Sequence, residues 1–191
     1  MTALEIAECM PIPMNFGGVQ SSALGPAQRI DRLGSRWAFQ FASVPMDLEP
    51  DGRRWGALFD QAEVEGGIFR IRQPGLNVGA PGLPLIAADT PLGRSLPLAG
   101  LTPGCVIRLG QWLSVIVDGQ RYLDRAMEQV IAESDGTATV TIKYLIRSPM
   151  SEGDVVEIAV PKIEGSVDGA FGGGWGNDRT TSFSFTVRED A

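Results

Sequence analysis

Histidine is absent from this chain of 191 residues, and cysteine occurs only at Cys9 and Cys105. Without histidine, neither a Ser-His-Asp nor a Cys-His catalytic arrangement can form, and zinc cannot be held by imidazole ligands. Two distant cysteines cannot supply a thiolate zinc cluster, and a disulfide framework is not expected in a large, cytoplasmic chain. We therefore expect two buried or unreactive thiols.

The chain also lacks a long apolar run and an excess of basic residues. No run approaches the roughly 18–20 apolar residues that span a bilayer. The N-terminal segment has Glu5 and Glu8 where a secretory signal carries positive charge. The formal net charge of −7 argues against a dedicated nucleic-acid-binding protein, because such proteins present a basic face to phosphates. We expect a protein made in the cytoplasm that binds no membrane.

Glycine and proline are abundant, with 24 and 13 residues. Glycine permits positive φ and proline fixes φ, so this composition favours many short elements joined by tight turns. In Arg36–Phe41, large aromatic residues alternate with other residues, which predicts a half-buried strand. A helix should follow from Pro50, with an apolar stripe at helical spacing. That stripe consists of Trp55, Leu58, Phe59 and Ala62.

The middle of the chain predicts a β meander with one ambiguous segment. Residues 73–104 are rich in proline and glycine and are interpreted as a linker at a domain boundary, with short strands at Leu83–Ala87 and Arg94–Leu98. Asp-Gly pairs at 118–119 and 135–136 predict hairpin turns. Residues 122–132 fit either a helical stripe or a strand, and their position between the two turns favours a strand.

The end of the chain returns to the aromatic alternation of its start. In Ser182–Arg188 the side chains of Phe183, Phe185 and Val187 share one face. We therefore predict that the last strand pairs back into the first domain. The fold class is mainly β with one or two short helices: a β-sandwich or barrel-like N-terminal domain with an inserted second β-domain. The predicted parts are an extended arm at 1–30, a first domain at 31–82 plus 165–191, and the insert at 83–164.

Few side chains suggest chemistry. Three acidic pairs lie near glycines and are interpreted as solvated turns, although a glycosidase also uses two carboxylates. They are Glu63/Glu65, Glu133/Asp135 and Glu152/Asp154. Asp168 with Asn177 and Asp178 lacks the spacing of an EF-hand loop, and the glycine run at 172–176 lacks the spacing of a dinucleotide-binding loop. We predict no catalytic residue, no cofactor and no metal.

Aromatic and basic side chains supply the candidates for intermolecular contact. Trp112 lies in an apolar strand and is expected in the core, whereas Trp175 lies in a glycine-rich loop with Phe171. Trp175 is therefore the better candidate for contact with another molecule. Arg70 and Arg72 share one face of the predicted strand after the helix and complete the set of candidates.

The order of these blocks resembles the distal tail proteins of long-tailed bacteriophages and related prophages, over residues 32–165. The similarity lies in RLGSRWAFQFASVPMD and RRWGALFDQAEVEGGIFRI, followed by the proline-glycine stretch, GRSLPLAG, PGCVIRLGQWLSVIVDGQRYL, DGTATVTIKYLIR and GDVVEIAVPKIEG. The resemblance implies a structural virion protein that forms a homo-hexameric ring in the virion tail. The ring would join the tail-tube protein to the tail-tip hub, with tail fibres as further partners. The first domain would resemble the tube protein.

The resemblance also implies that DNA passes through the ring without specific binding. An acidic lumen would let DNA slide, so we expect carboxylates, not Arg70 or Arg72, to line it. Two alternatives stay open. A carbohydrate-binding β-module would be a monomer with exposed Trp112 or Trp175. A hydrolase would place two acids in one cleft with separated pKa values.

Overall fold

The computed structural model describes residues 4–22, 25–170 and 179–190. The fold is mainly β, as predicted, with one helical segment of 18 residues. A wide turn at Leu48–Gly52, which contains a cis Glu49–Pro50 bond, precedes the helix α1, Arg53–Glu65. The strands are β1 Ile6–Met14, β2 Gly18–Ser22, β3 Gly25–Ile30, β4 Arg36–Ser43, β5 Met46–Asp47, β6 Gly67–Arg70, β7 Gly82–Ile86, β8 Ser95–Leu101, β9 Val106–Ile107, β10 Trp112–Val117, β11 Gln120–Arg125, β12 Val130–Ile131, β13 Ala138–Thr141, β14 Val155–Glu157, β15 Lys162–Ala170, β16 Thr180–Thr181 and β17 Ser184–Glu189.

The chain divides into two compact units, and most of the second, Ile71–Lys162, is inserted into the first between β6 and β15. The first unit comprises the segment up to Ile12, Trp37–Arg70 and Ile163–Asp190. The second comprises Pro13–Arg36 and Ile71–Lys162. The insertion agrees with the fold class predicted from the sequence. The insert begins at Ile71, earlier than the predicted start at 83, because the proline-glycine stretch belongs to it.

A five-stranded antiparallel sheet forms the first unit, in the order β1-β4-β17-β15-β6. The last strand pairs with β4, with Phe185 opposite Phe41 and Val187 opposite Phe39. The predicted return of the chain to its first domain is therefore confirmed. All four of these side chains are buried, which is the result expected when alternating large residues face a core.

Helix α1 covers this aromatic face through one residue. Phe59 is buried, and its ring centroid lies 4.6 Å from that of Phe185 and 5.0 Å from that of Phe183. Leu58 is 39% exposed, so the predicted apolar stripe of four residues is only partly buried. Phe59 is its buried member. Pro50 lies in the wide first turn of the 18-residue helical segment, which agrees with the predicted helix start.

A six-stranded antiparallel sheet forms the second unit, in the order β11-β10-β14-β7-β8-β13. The predicted Asp118-Gly119 turn joins β10 to β11, and both residues have positive φ, as a type I′ turn requires. The curled sheet encloses a core of aliphatic side chains. Every second residue from 138 to 146 is buried: Ala138, Val140, Ile142, Tyr144 and Ile146.

Residues 73–104 are not a linker. The two short strands predicted within them are present as β7 and β8, and both are central in the second sheet. Strand β7 pairs with β14 and β8, and β8 also pairs with β13. The β7–β8 register shifts between Gly82 and Leu85, which places Pro84 at an irregularity where no ladder N–H is needed. Gly82 and Gly100 have positive φ at this crossing, and a Cβ on either would overlap a backbone carbonyl oxygen of the other strand.

Two further predictions are settled by the pairing. The ambiguous segment 122–132 contains no helix; it forms most of β11 and all of β12. The second Asp-Gly pair lies in a turn, where Gly136 N donates to Glu133 O over 3.0 Å. That turn does not close a simple hairpin, since β12 pairs with β9 and β13 pairs with β8.

The N-terminal arm holds more strand than predicted. Strand β1 is nine residues long and forms one edge of the first sheet. Strands β2 and β3 pair only with each other among the described residues, with Gly18 opposite Ile30. We call this pair, Gly18–Ser22 with Gly25–Ile30, the ribbon. It belongs to the second unit.

Candidate functional site

The ribbon is an exposed element of the second unit. Every ribbon residue whose side chain the structure describes is exposed, and Val19 is 70% exposed and Ile30 38% exposed. A two-stranded hairpin alone is marginally stable in water, because it has no face on which to bury its apolar side chains. The ribbon therefore presents apolar side chains and backbone edges suited to contact with another chain.

The open edges of the first sheet offer a second kind of contact. Strands β1 and β6 lie at opposite ends of its strand order. An edge strand presents unpaired N–H and C=O groups, so it is a template for pairing with another strand. Met10 on β1 is 49% exposed and Ile68 on β6 is 50% exposed. Apolar side chains thus accompany both edges.

An apolar patch also lies on the solvent side of the second sheet. Leu83 is 84% exposed, Val155 is 47% exposed, and Leu85 lies opposite Val155 on the neighbouring strand. These residues line a groove of about 450 Å³ together with prolines 81 and 84. Exposed apolar groups on central strands are typical of a surface that another molecule covers.

One half-buried charge cluster lies beside that groove. Glu157 Oε2 accepts hydrogen bonds from Ser114 Oγ at 2.8 Å and from Arg121 Nε at 3.2 Å. Glu157 Oε1 accepts from Lys162 Nζ at 2.5 Å. Burial alone raises the pKa of Glu157, but the hydrogen bonds from Lys162 and Ser114 and the charges of Lys162 and Arg121 bring that pKa below its ordinary value. The cluster ties β10, β11 and β14 together and acts as a structural brace.

The predicted contact residues fall in different places. Arg70 ends β6 in the first unit, while Arg72 lies in the second unit, and both are exposed. They do not continue one strand, because β6 stops at Arg70. Phe171 and Trp175 lie outside the described residues, as do Asn177 and Asp178.

Trp112 is buried, as predicted, with 8% of its surface exposed. The guanidinium carbon of Arg125 lies 5.4 Å from the centre of its ring. A sugar cannot stack on a ring so covered, so Trp112 offers no carbohydrate platform.

The acidic side chains of the three pairs are exposed, except for the half-buried Asp154. Glu63 and Glu65 are exposed on α1, which corrects their predicted place in a turn. Asp135 accepts hydrogen bonds from the backbone and hydroxyl of Thr137, and these lower its pKa. Asp168 forms an ion pair of 2.9 Å with Arg188. In the described part of the chain, no group of three or more acidic or cysteine side chains is arranged to hold a metal ion.

No helix within the described ranges combines the length and the apolar character needed to cross a bilayer.

Comparison with known proteins adds no relative. No protein-family model matches the chain, and no curated protein matches its sequence.

The sequence did not predict the ribbon, because residues 18–30 carry small and polar residues without a clear alternation. The pair Ser21–Ser22 followed by glycine at 25 was the available indication of a turn.

Proposed function

We propose that the protein is a structural component of a bacteriophage or prophage tail, forming a ring at the distal end of the tail tube. The sequence resemblance suggests this role, and the exposed ribbon is the observation that carries it. A protein that acts alone gains nothing from an ordered two-stranded element with exposed Val19 and Ile30. A protein that assembles through it buries those side chains on a neighbour.

The open first sheet supports a ring in a second way. Its two edges, β1 and β6, are different surfaces, so contact between them is head-to-tail. A head-to-tail contact generates a closed ring when the rotation between copies closes. Six copies, the tail-tube protein and the tail-tip hub are the proposed partners, with tail fibres as further ones.

The proposed ring makes a prediction about charge. DNA crossing the ring should meet carboxylates, with Arg70 and Arg72 away from the lumen. The exposed side of the first sheet carries both signs, since Asp168 and Arg188 pair there. The acidic lumen must therefore arise from the way in which the copies assemble, with carboxylates turned towards the centre. A ring structure with a basic lumen would contradict this prediction.

The assembly is tested by light scattering and negative-stain imaging of the purified chain, alone and with the tube and hub proteins of the same phage. We expect a ring with a central hole in at least one of these samples. Val19→Asp should abolish assembly, because it places a charge in the buried contact. Val64→Asp is the matched control, since Val64 is 85% exposed on α1. A chain that stays monomeric in every sample would overturn the proposal.

The carbohydrate-binding alternative has one candidate sugar-binding residue. Trp112 is buried, so the alternative depends on Trp175 alone. A glycan screen with the Trp175→Ala variant tests it directly.

A further inference from the structure

A cavity of about 380 Å³ lies within the second unit. Its walls come from four separate parts of the chain: residues 15–35, Arg94, Met127 and residues 141–145. This volume falls in the lower part of the range of small-molecule sites, roughly 300–1,000 Å³.

The residues that line the cavity carry a net positive charge although the protein is acidic. Arg32, Arg94 and Lys143 line it, with Asp31 as the only lining carboxylate. Arg94 Nη2 lies 2.5 Å from Asp31 Oδ2. The lining therefore carries two more cations than anions, against a net charge of −7 for the chain. A local excess of this sign attracts anions into a concave site.

The uncharged polar groups of one wall already bond to each other. Ser35 Oγ accepts from the backbone N–H of Phe16 at 3.1 Å and donates to Asn15 Oδ1 at 3.3 Å. Asn15 Oδ1 also accepts from Gly17 N at 2.8 Å. These bonds fix the wall and leave the cationic side chains as the main donors. Arginine and lysine donate only, so they select a ligand that accepts only.

Lys143 adds an electrostatic reason for an anion. Burial lowers its pKa, the charge of Arg125 lowers it further, and Asp124 partly offsets both. Its ammonium has thus lost part of its hydration, and an oxyanion in the cavity would replace that lost interaction.

We propose that this cavity binds a small ligand that carries two negative charges on oxygen atoms, either a phosphate monoester or a dicarboxylate. Arg32, Arg94 and Lys143 donate to its oxygens, and the two excess positive charges match its two negative ones. This binding is separate from ring assembly, and neither depends on the other.

The test follows backbone amide shifts by NMR while the isotope-labelled protein is titrated. Inorganic phosphate and succinate probe the two sources of the oxyanion, and glucose is the neutral control. The buffer holds about 0.15 M salt, so that weak surface attraction is screened. We expect saturable shifts at residues 141–145 and Arg94 with at least one anion, and none with glucose. Saturation by only one anion supports the proposal and identifies the source.

Paired variants separate a site from general attraction. Arg32→Gln with Lys143→Met should weaken binding by about tenfold or more, because each removes a charge-assisted hydrogen bond. Arg53→Gln with Arg108→Gln removes the same charge from exposed positions outside the cavity and should leave binding unchanged. The proposal fails if neither anion saturates, if shifts spread over surface arginines, or if the control pair loses as much. Shift mapping on the unaltered protein tests the site even if a variant does not fold.

Discussion

The two β-units fill their interiors with different kinds of side chain. In the first unit, rings from a sheet and a helix stack on one another, and Phe59 contacts Phe69, Phe183 and Phe185. In the second unit, a curled sheet closes over its own aliphatic residues. Both sheets are curled, but a helix covers the first and large rings pack between the two, whereas the second packs branched aliphatic side chains against one another. Core composition therefore reports which strands belong together, even when residues 71–162 separate them in sequence.

The largest expected effect breaks the first unit at its centre. Phe59→Ala should lower the free energy of unfolding by about 4 kcal/mol, since it removes the only buried side chain of α1 and leaves a cavity among three rings. Urea unfolding measures this loss. Leu58→Ala, at the neighbouring 39% exposed position, should cost less than about 1 kcal/mol. Equal losses would mean that the helix does not pack as described.

The corresponding change in the second unit is Leu113→Ala. Leu113 is fully buried in the aliphatic core, so we expect a loss of about 3 kcal/mol in unfolding free energy. Leu83→Ala, at an 84% exposed position of the same sheet, should be nearly neutral.

Native-state hydrogen exchange compares the two units directly. Phe59→Ala should lower the amide protection of β4 and β17, and Leu113→Ala should lower that of β10. Deprotection of both units by either variant would show that the two cores unfold as one.

A smaller effect is expected at the half-buried charge cluster around Glu157 in the second unit. The described ion pairs of the first unit, Glu49–Arg53 and Asp168–Arg188, are more exposed. Glu157→Gln should cost about 1–2 kcal/mol at pH 7, because Lys162 and Arg121 lose a charged acceptor while retaining partial hydration. The folded pKa of Glu157 lies below its ordinary value of 4.5. Its stabilising contribution is therefore complete above the unfolded pKa and is lost as pH falls through the folded one.

Urea midpoints at pH 7 and pH 3 test this sign. The difference between the native chain and Glu157→Gln should shrink on acidification. Glu49→Gln is the control, because the exposed Glu49–Arg53 pair should leave the midpoint unchanged at either pH. A difference that grows in acid would contradict the pKa direction.

The smallest effects should be similar in size in the two units. Gly66 ends α1 with φ of 79°, and Gly119 closes the β10–β11 turn with φ of 87°. Alanine at either position should cost about 1 kcal/mol, because a side chain disfavours positive φ. Gly66→Ala should be slightly the costlier of the two, since its Cβ would lie 3.0 Å from the carbonyl oxygen of Gly165 whereas that of Gly119 meets open space. Thermal unfolding compares them.

Local patterns predicted the elements whose cause is local. Alternating rings predicted β4 and the return of Phe185, and the Asp118-Gly119 pair predicted its hairpin. Within the proline-glycine stretch the two short strands were predicted, but their central place in a sheet was not, because Pro84 lies at an irregularity that Gly82 and Gly100 make possible. That arrangement depends on the crossing of two strands, which no single segment encodes.

The candidate sites were harder to predict than the fold. The cavity joins Arg32, Arg94 and Lys143, which lie far apart in sequence and form no motif. Composition even pointed the other way, since a net charge of −7 gives no hint of a local positive site. The ribbon was not predicted because its described side chains are exposed. A strand shows hydrophobic alternation in its sequence only when one of its faces is buried.

The ends of the insert meet: Ile71 N donates to Pro161 O over 2.8 Å. Strands β6 and β15, which flank the insert, are already neighbours in the first sheet. A short turn joining Arg70 to Ile163 would therefore turn them into a hairpin without moving either strand. Residues 71–162, which form most of the second unit, are in this sense a detachable insert, and a related chain could carry another module at this place while β6 and β15 stay paired.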